Sequence, residues 1–139
     1  MRLAEIWRYP VKSMAGERLA AAELRPDGIE GDRVVQAWDE RGRILTARTH
    51  PRLLGHRATI GEDGSPRVDG LPWAGPAVTR RVEAAAGRGA RLRLFEGEER
   101  FDILPLLVAT DGSLAAFGRD PRRLRPNLVL SGVEGLAER

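Results

Sequence analysis

Glycine and proline set the limits on what this chain can fold into. With 16 Gly and nine Pro spread along 139 residues, few stretches run far without a breaker. Pro lacks the backbone donor and costs about 3 kcal/mol inside a helix, and Gly costs about 1 kcal/mol there. Long helices are therefore disfavoured. Short extended segments separated by turns are favoured, and these assemble into sandwiches and barrels.

The segments follow that expectation. Residues 2–9 carry Leu3, Ala4, Ile6 and Trp7 and stop at Pro10, as a strand would. Residues 18–25 are Ala-rich, but Pro26-Asp27-Gly28 turns the chain at once, so they too are read as a strand. Val34–Trp38 and Ile44–Ala47 flank Asp39-Glu40-Arg41-Gly42 at hairpin spacing. Residues 57–60, 66–68, 77–83 and 90–95 supply further extended candidates.

Two helical pieces are expected. One is a single turn at Pro51–Leu54 capped by Thr49. The other is Asp111–Gly118, opened by Thr110 or Asp111 and closed by Gly118. The latter follows the apolar run Leu104–Ala109 and precedes a last strand, Leu128–Leu130. The expected fold is mostly β: a short-stranded β-barrel with one or two short helices.

Hydrophobic residues at 42% and charged residues at 31% match a soluble globular domain. No apolar run approaches the roughly 18 residues of a membrane span. MRLAEIWRYP has no secretory apolar region, and a cytoplasmic location is expected. Cys is absent, so these residues offer no disulfide, thiolate metal site or thiol nucleophile.

His50 and His56 lack clustered carboxylates and read as surface-turn residues rather than metal ligands. Ser113 lacks the partners of a serine triad. Asp102 reads as a strand-end turn residue. The Arg-rich stretch 119–125 raises nucleic-acid binding, but 5% aromatics and 20 acidic residues argue against it.

The basic residues are unusual in kind: 22 are Arg and one is Lys, Lys12. A lone Lys in an Arg-biased chain points to a site that needs a compact ammonium on a flexible stem, with chance retention as the competing reading. Lys12 and Ser13 follow directly on the Pro that ends the first strand. Arg33 sits where a loop enters a strand, and Arg125 and Asn127 stand at a second such junction. Together they offer a point charge, a hydroxyl, planar forks and an amide, the makings of an anion cradle at a domain rim. Solvated turns with structural Arg are the competing reading.

Tyr9-Pro10-Val11-Lys12-Ser13, Gly31-Asp32-Arg33, Leu45-Thr46-Ala47-Arg48 with Pro51-Arg52-Leu53-Leu54, and Arg125-Pro126-Asn127-Leu128-Val129 occur in that order. In this the chain resembles the MOSC proteins with an N-terminal β-barrel domain. That family includes the mitochondrial amidoxime-reducing component and the C-terminal domain of molybdenum cofactor sulfurase. The resemblance implies a molybdenum cofactor (molybdopterin) whose phosphate and pterin meet Lys12, Ser13 and Arg33, with Arg125 and Asn127 on the pterin side. Relatives carry hydroxyl residues where Ile103 and Leu104 stand, so those contacts are not carried over.

Residues 1–100 are then expected to form the barrel domain, and 101–139 the start of a MOSC-like domain, incomplete or packed onto the barrel. In the family a later Cys ligates molybdenum. The chain is expected to be truncated before it, retaining part of the phosphate- and pterin-binding rim without oxidoreductase or sulfur-transfer catalysis of its own. The rival expectation is a non-catalytic β-barrel module that binds a phosphorylated ligand or a protein partner. A homodimer through exposed strand edges, or a redox partner protein, is the expected association.

Overall fold

The computed structural model describes residues 1–95, 97, 100, 101, 103–120 and 123–135. Asp102, Arg122 and the last four residues, 136–139, lie outside the described residues.

The first seven strands are β1 (Arg2–Arg8), β2 (Glu17–Leu19), β3 (Leu24–Arg25), β4 (Gly28–Ile29), β5 (Val35–Trp38), β6 (Ile44–Leu45) and, after a 3-10 helix at Pro51–Gly55, β7 (Ala58–Ile60). Then come β8 (Pro66–Val68), β9 (Leu71–Pro72), helix α1 (Pro76–Ala86), β10 (Arg91–Leu94), β11 (Val108–Thr110), helix α2 (Asp111–Ala116) and β12 (Leu128–Ser131). The protein is mostly β with two helices.

The strands fall into four hydrogen-bonded sheets, ordered β11-β12-β1-β2, β10-β5-β6, β3-β4 and β7-β8-β9. They do not close into the one continuous ladder of the expected barrel. The strands are too short: most have two to four residues, and Pro66 and Pro72 each remove a ladder donor.

A single stretch after Pro10 joins the sheets instead. Arg33 N donates to Tyr9 O at 2.6 Å, Val35 N to Pro10 O at 3.1 Å and Lys12 N to Val35 O at 2.9 Å. Three residues on, Ala15 N donates to His56 O at 2.9 Å and accepts from Ala58 N at 2.8 Å through its carbonyl. Residues 9–15 thus continue β1 and stitch its sheet to β5 on one side and β7 on the other.

β1 is the centre of its own sheet, antiparallel to both β2 and β12, with Ile6 facing Leu19 and Leu128. β11 and β12 run parallel with α2 between them, a small βαβ unit hydrogen-bonded to β1 through β12. Thr110 caps α2 as its sequence implies, its Oγ1 accepting from Ser113 N at 3.0 Å.

Three local expectations are corrected. Residues 77–83 belong to helix α1 and not to a strand. Pro76 at the helix start, Val78 and Val82 one turn apart on the buried face, and a run of Ala at the end satisfy helical spacing. Residues 18–25 split into β2 and β3 around a non-strand stretch. The 3-10 helix begins from His50 with no side-chain cap, where Thr49 was expected to serve.

The core gathers Val11, Met14, Val35, Leu53, Val68, Val78 and Val82, all fully buried. Each such side chain contributes roughly 1.5–3 kcal/mol by leaving water. Val11 and Met14 bracket Lys12 and Ser13, so the core anchors the segment that carries the polar pair.

Candidate functional site

The site is built on a buried carboxylate. Asp32 is fully enclosed, and its Oδ1 accepts the Tyr9 backbone N–H at 2.7 Å. Its Oδ2 accepts from Arg33 Nη1. The same guanidinium nitrogen donates to Asn127 Oδ1 at 3.1 Å, and Nη2 donates to the Arg125 carbonyl at 3.2 Å. Asn127, also fully buried, accepts from Leu107 N at 3.1 Å and donates through Nδ2 to Trp7 O at 3.2 Å. Tyr9 completes the cluster: its hydroxyl donates to Pro126 O at 2.9 Å, and the Arg33 guanidinium lies 5.2 Å from its ring centroid.

Burial pushes the Asp32 carboxyl above the ordinary carboxylate range, against the pull of the Arg33 guanidinium and the Tyr9 amide. Burial likewise holds the Tyr9 phenol above its usual range, opposed by Arg33 and Arg125.

Backbone strain concentrates here. Among the described non-glycine residues the left-handed region holds Ser13 at φ 74°, Arg33 at 53°, Asp69 at 52° and Arg125 at 47°. Three of these four are the residues that the sequence marks as site candidates. Such conformations cost about 1 kcal/mol or more each and persist only where surrounding contacts enforce them. Here the enforcing contacts are the Asp32–Arg33–Asn127 network and the Ala47 N–H, which donates to Ser13 Oγ at 2.9 Å.

Beside this network opens a cavity of about 490 Å³ lined by Lys12, Ser13, Thr46, Arg48, Arg123 and Arg125. Its apolar wall is made by Leu54, Phe117 and Leu124. No acidic side chain lines it among the described residues. Lys12 and Ser13 are 9% and 1% exposed, whereas Arg48 and Arg123 are exposed and Arg125 is half-buried. Because Ser13 Oγ accepts the Ala47 amide, its own proton is the one it has left to donate. A buried hydroxyl donor beside an ammonium and a guanidinium suits an oxyanion. A second cavity of about 310 Å³, lined by Trp7, Tyr9, Leu114 and Val129, meets the first at Arg125.

The five sequence-predicted residues therefore divide. Lys12, Ser13 and Arg125 line the cavity. Arg33 and Asn127 do not line it; they sit in the buried network, where Arg33 holds the Arg125 carbonyl and Asn127 braces Arg33. Sequence reasoning missed Asp32 as the hub, although it stands between Gly31 and Arg33, and assigned no role to Arg48 or Arg123. A carboxylate next to an Arg at a loop-to-strand junction was the available signal for Asp32. His56 is engaged elsewhere, its Nδ1 2.7 Å from Asp69 Oδ2. No group of three His, Cys, Asp or Glu side chains that could hold a metal occurs among the described residues. No helix among the described residues is long and apolar enough to cross a membrane.

Fold and site together define a small β domain with a cationic cavity built around one buried ion pair. The chain belongs to the family of the MOSC N-terminal beta barrel domain, which matches residues 1–99. It is 39% identical over 56 residues to mitochondrial amidoxime reducing component 2 of Macaca fascicularis. That alignment covers 37% of this chain and 17% of the relative, so the chain spans only a small part of the curated protein it matches.

Proposed function

We propose that this chain supplies the phosphate-holding rim of a molybdenum-cofactor site, with Lys12, Ser13 and Arg125 as the contacts and Arg33 and Asn127 as positioning residues. The observation that carries this reading is the buried Ser13 hydroxyl, which accepts from Ala47 N and has its proton left to donate beside Lys12 and Arg125. The donor set fits the anionic end of a phosphorylated pterin. The neighbouring Trp7–Tyr9 pair, stacked with centroids 6.4 Å apart, lies in the adjoining cavity.

When bound, the cofactor supplies the redox chemistry. These residues bind and orient it. The 139 residues contain no Cys, so a thiolate ligand to molybdenum comes from outside them. Residues 101–139 serve as the opening of a MOSC-like domain, a reading supported by the βαβ unit of β11, α2 and β12 on the edge of β1. In a complete site, reduction of amidoximes, the activity in the relative's name, is the reaction this rim would serve.

The test is a calorimetric titration with a pterin monophosphate and with the same pterin lacking phosphate. Saturable binding of the phosphorylated form alone, weakened at least tenfold by both Lys12→Met and Arg125→Ala, is the expected result. Equal binding of the two pterins, or none of either, overturns the reading.

A further inference from the structure

The second cavity, of about 310 Å³, is left unused by the anion rim. Strand periodicity builds it. Successive side chains of an extended chain alternate between faces, so Glu5, Trp7 and Tyr9 share one. Val129 stands opposite Glu5 on β12, and Leu114 of α2 and Pro126 add apolar surface. Sites that enclose organic ligands begin at roughly 300 Å³ and are mostly apolar with a few placed polar groups. This one has the size of a single substituted ring.

A carboxylate is the exception in such a wall. Glu5 lines the cavity, and its Oε2 accepts the Trp7 indole N–H at 2.7 Å, which fixes its position. Oε1 accepts no hydrogen bond among the described residues. The exposed Arg18 stands 4.0 Å from it, and an exposed pair of this kind contributes about 0–1 kcal/mol. The aromatic groups offer no donor of their own. The indole N–H is spent on Glu5, and the Tyr9 hydroxyl on Pro126 O.

The other end is basic. Gly16 packs on the Tyr9 ring, where a Cβ would come within 2.5 Å of Cδ1, and the adjacent Ala15 is bridged to Arg57. Arg57 lines the cavity too. Its backbone N–H donates to Asp69, while its guanidinium has no hydrogen bond or ion pair among the described residues. Arg125, which reaches both cavities, is engaged with partners of its own. Tyr9 lies four residues beyond Glu5, about 13 Å along an extended chain. The carboxylate and the Arg57 guanidinium are thus set apart, with the stacked Trp7–Tyr9 pair between them.

From this polarity we infer that the cavity is a second ligand site, for an aromatic molecule carrying an ammonium group at one end and a carboxylate at the other. The ring lies along Trp7 and Tyr9. The ammonium donates to Glu5 Oε1, and the carboxylate accepts from the Arg57 fork. A cation alone lacks the second contact and an anion alone the first. This goes beyond the anion rim and does not depend on it.

The experiment is a nuclear magnetic resonance titration at constant ionic strength with 4-(aminomethyl)benzoate, benzylamine and benzoate. It uses the wild-type chain, Glu5→Gln, Arg57→Gln and Leu114→Phe. Glu5→Gln keeps an acceptor for the Trp7 indole and removes the charge. The two-ended ligand is expected to bind at least tenfold more tightly than either of the others and to move the Trp7 indole N–H signal. Glu5→Gln should lower its affinity to that of benzoate, and Arg57→Gln to that of benzylamine. Leu114→Phe, which fills the cavity without touching charge, should abolish binding of all three.

Equal binding of the three ligands overturns the two-ended site, as does no binding of any. A two-ended advantage that survives both Glu5→Gln and Arg57→Gln, or binding that leaves the Trp7 signal unmoved, puts the ligand elsewhere and overturns it too. If Leu114→Phe does not fold by circular dichroism, the two charge variants decide alone.

Discussion

Ala47 donates its backbone N–H to Ser13 Oγ at 2.9 Å, across a cavity edge where Ser13 holds a left-handed backbone at φ 74°. The bond does two things at once. It fixes the loop that follows β1 against the Thr46–Arg48 wall, and it uses the serine oxygen as an acceptor, which leaves its proton available to another partner.

Replacing Ser13 by Ala removes both functions. We expect folding stability to fall by about 1 kcal/mol, the net worth of one such bond, and pterin monophosphate affinity to fall about tenfold, or about 1.4 kcal/mol. Ser13→Gly loses the same affinity but recovers stability, because glycine adopts positive φ without strain. Urea unfolding beside the ligand titration checks both numbers.

Contact and positioning residues separate in a second comparison. Asn127→Ala removes one bond each from Arg33, the Leu107 N–H and the Trp7 carbonyl. Each buried group left without its bond costs about 1–3 kcal/mol, so a loss of at least about 2 kcal/mol is expected. Lys12→Met, which keeps the aliphatic stem, should cost less stability than Asn127→Ala while weakening anion binding at least tenfold. If the two variants unfold at the same urea concentration, the division is wrong.

The chain has a single tyrosine, which makes its ionisation directly visible. Burial holds the Tyr9 phenol above its usual range, while the unfolded chain ionises near pH 10. The folded state therefore keeps a proton that the unfolded state releases. This group's contribution to stability is intact below about pH 10 and is lost as pH rises beyond it. Absorbance near 295 nm should stay flat until alkaline unfolding and then rise in the same transition as the loss of near-ultraviolet circular dichroism. A separate, earlier phenolate signal would contradict the buried Tyr9–Pro126 bond.

At the opposite limit, Asp69 is one of the carboxylates that contribute to acid behaviour. Partial burial works against its ionisation, but the Arg57 amide, His56 and Arg81 outweigh that and hold its carboxyl below the ordinary range. The sign is the reverse of the tyrosine's: stability is present above the ordinary carboxylate value of about 4 and is lost as pH falls through the depressed one. Asp69→Asn should flatten the acid limb of the stability profile and leave anion binding at neutral pH unchanged.

How far the sequence foretells this arrangement depends on the range of the forces involved. β1 up to Pro10, the β5–β6 hairpin around Asp39–Gly42 and the Thr110 cap of α2 are local, and their signals are local. Helix α1 was misread because Val78 and Val82 satisfy extended and helical spacing alike over a few residues, and only packing on the core decides between them. Barrel closure was misjudged because hydrogen-bonded continuity depends on strand lengths that single turns do not report.

At the site, Lys12 stood out by residue type alone, as the one Lys among 22 Arg. The role of Asp32 was hinted at only by the neighbouring Arg33, because its other partners are Tyr9 and Asn127, the latter 95 positions away. Nor does the sequence distinguish an arginine that faces a cavity from one that holds up its neighbour. Arg33 and Arg125 look alike in the chain and differ only in whom they touch.

The stretch between Tyr9 and Ala15 has no regular structure of its own, yet its amides and carbonyls join three sheets. Its backbone cannot open by fraying, since release at one partner leaves the others in place. Amide hydrogens of Lys12 and Ala15, and those of Val35 and Ala58 that bond back to the stretch, should therefore exchange with solvent only when the whole domain unfolds. The most slowly exchanging loop in the molecule would then be the one that carries its cationic floor.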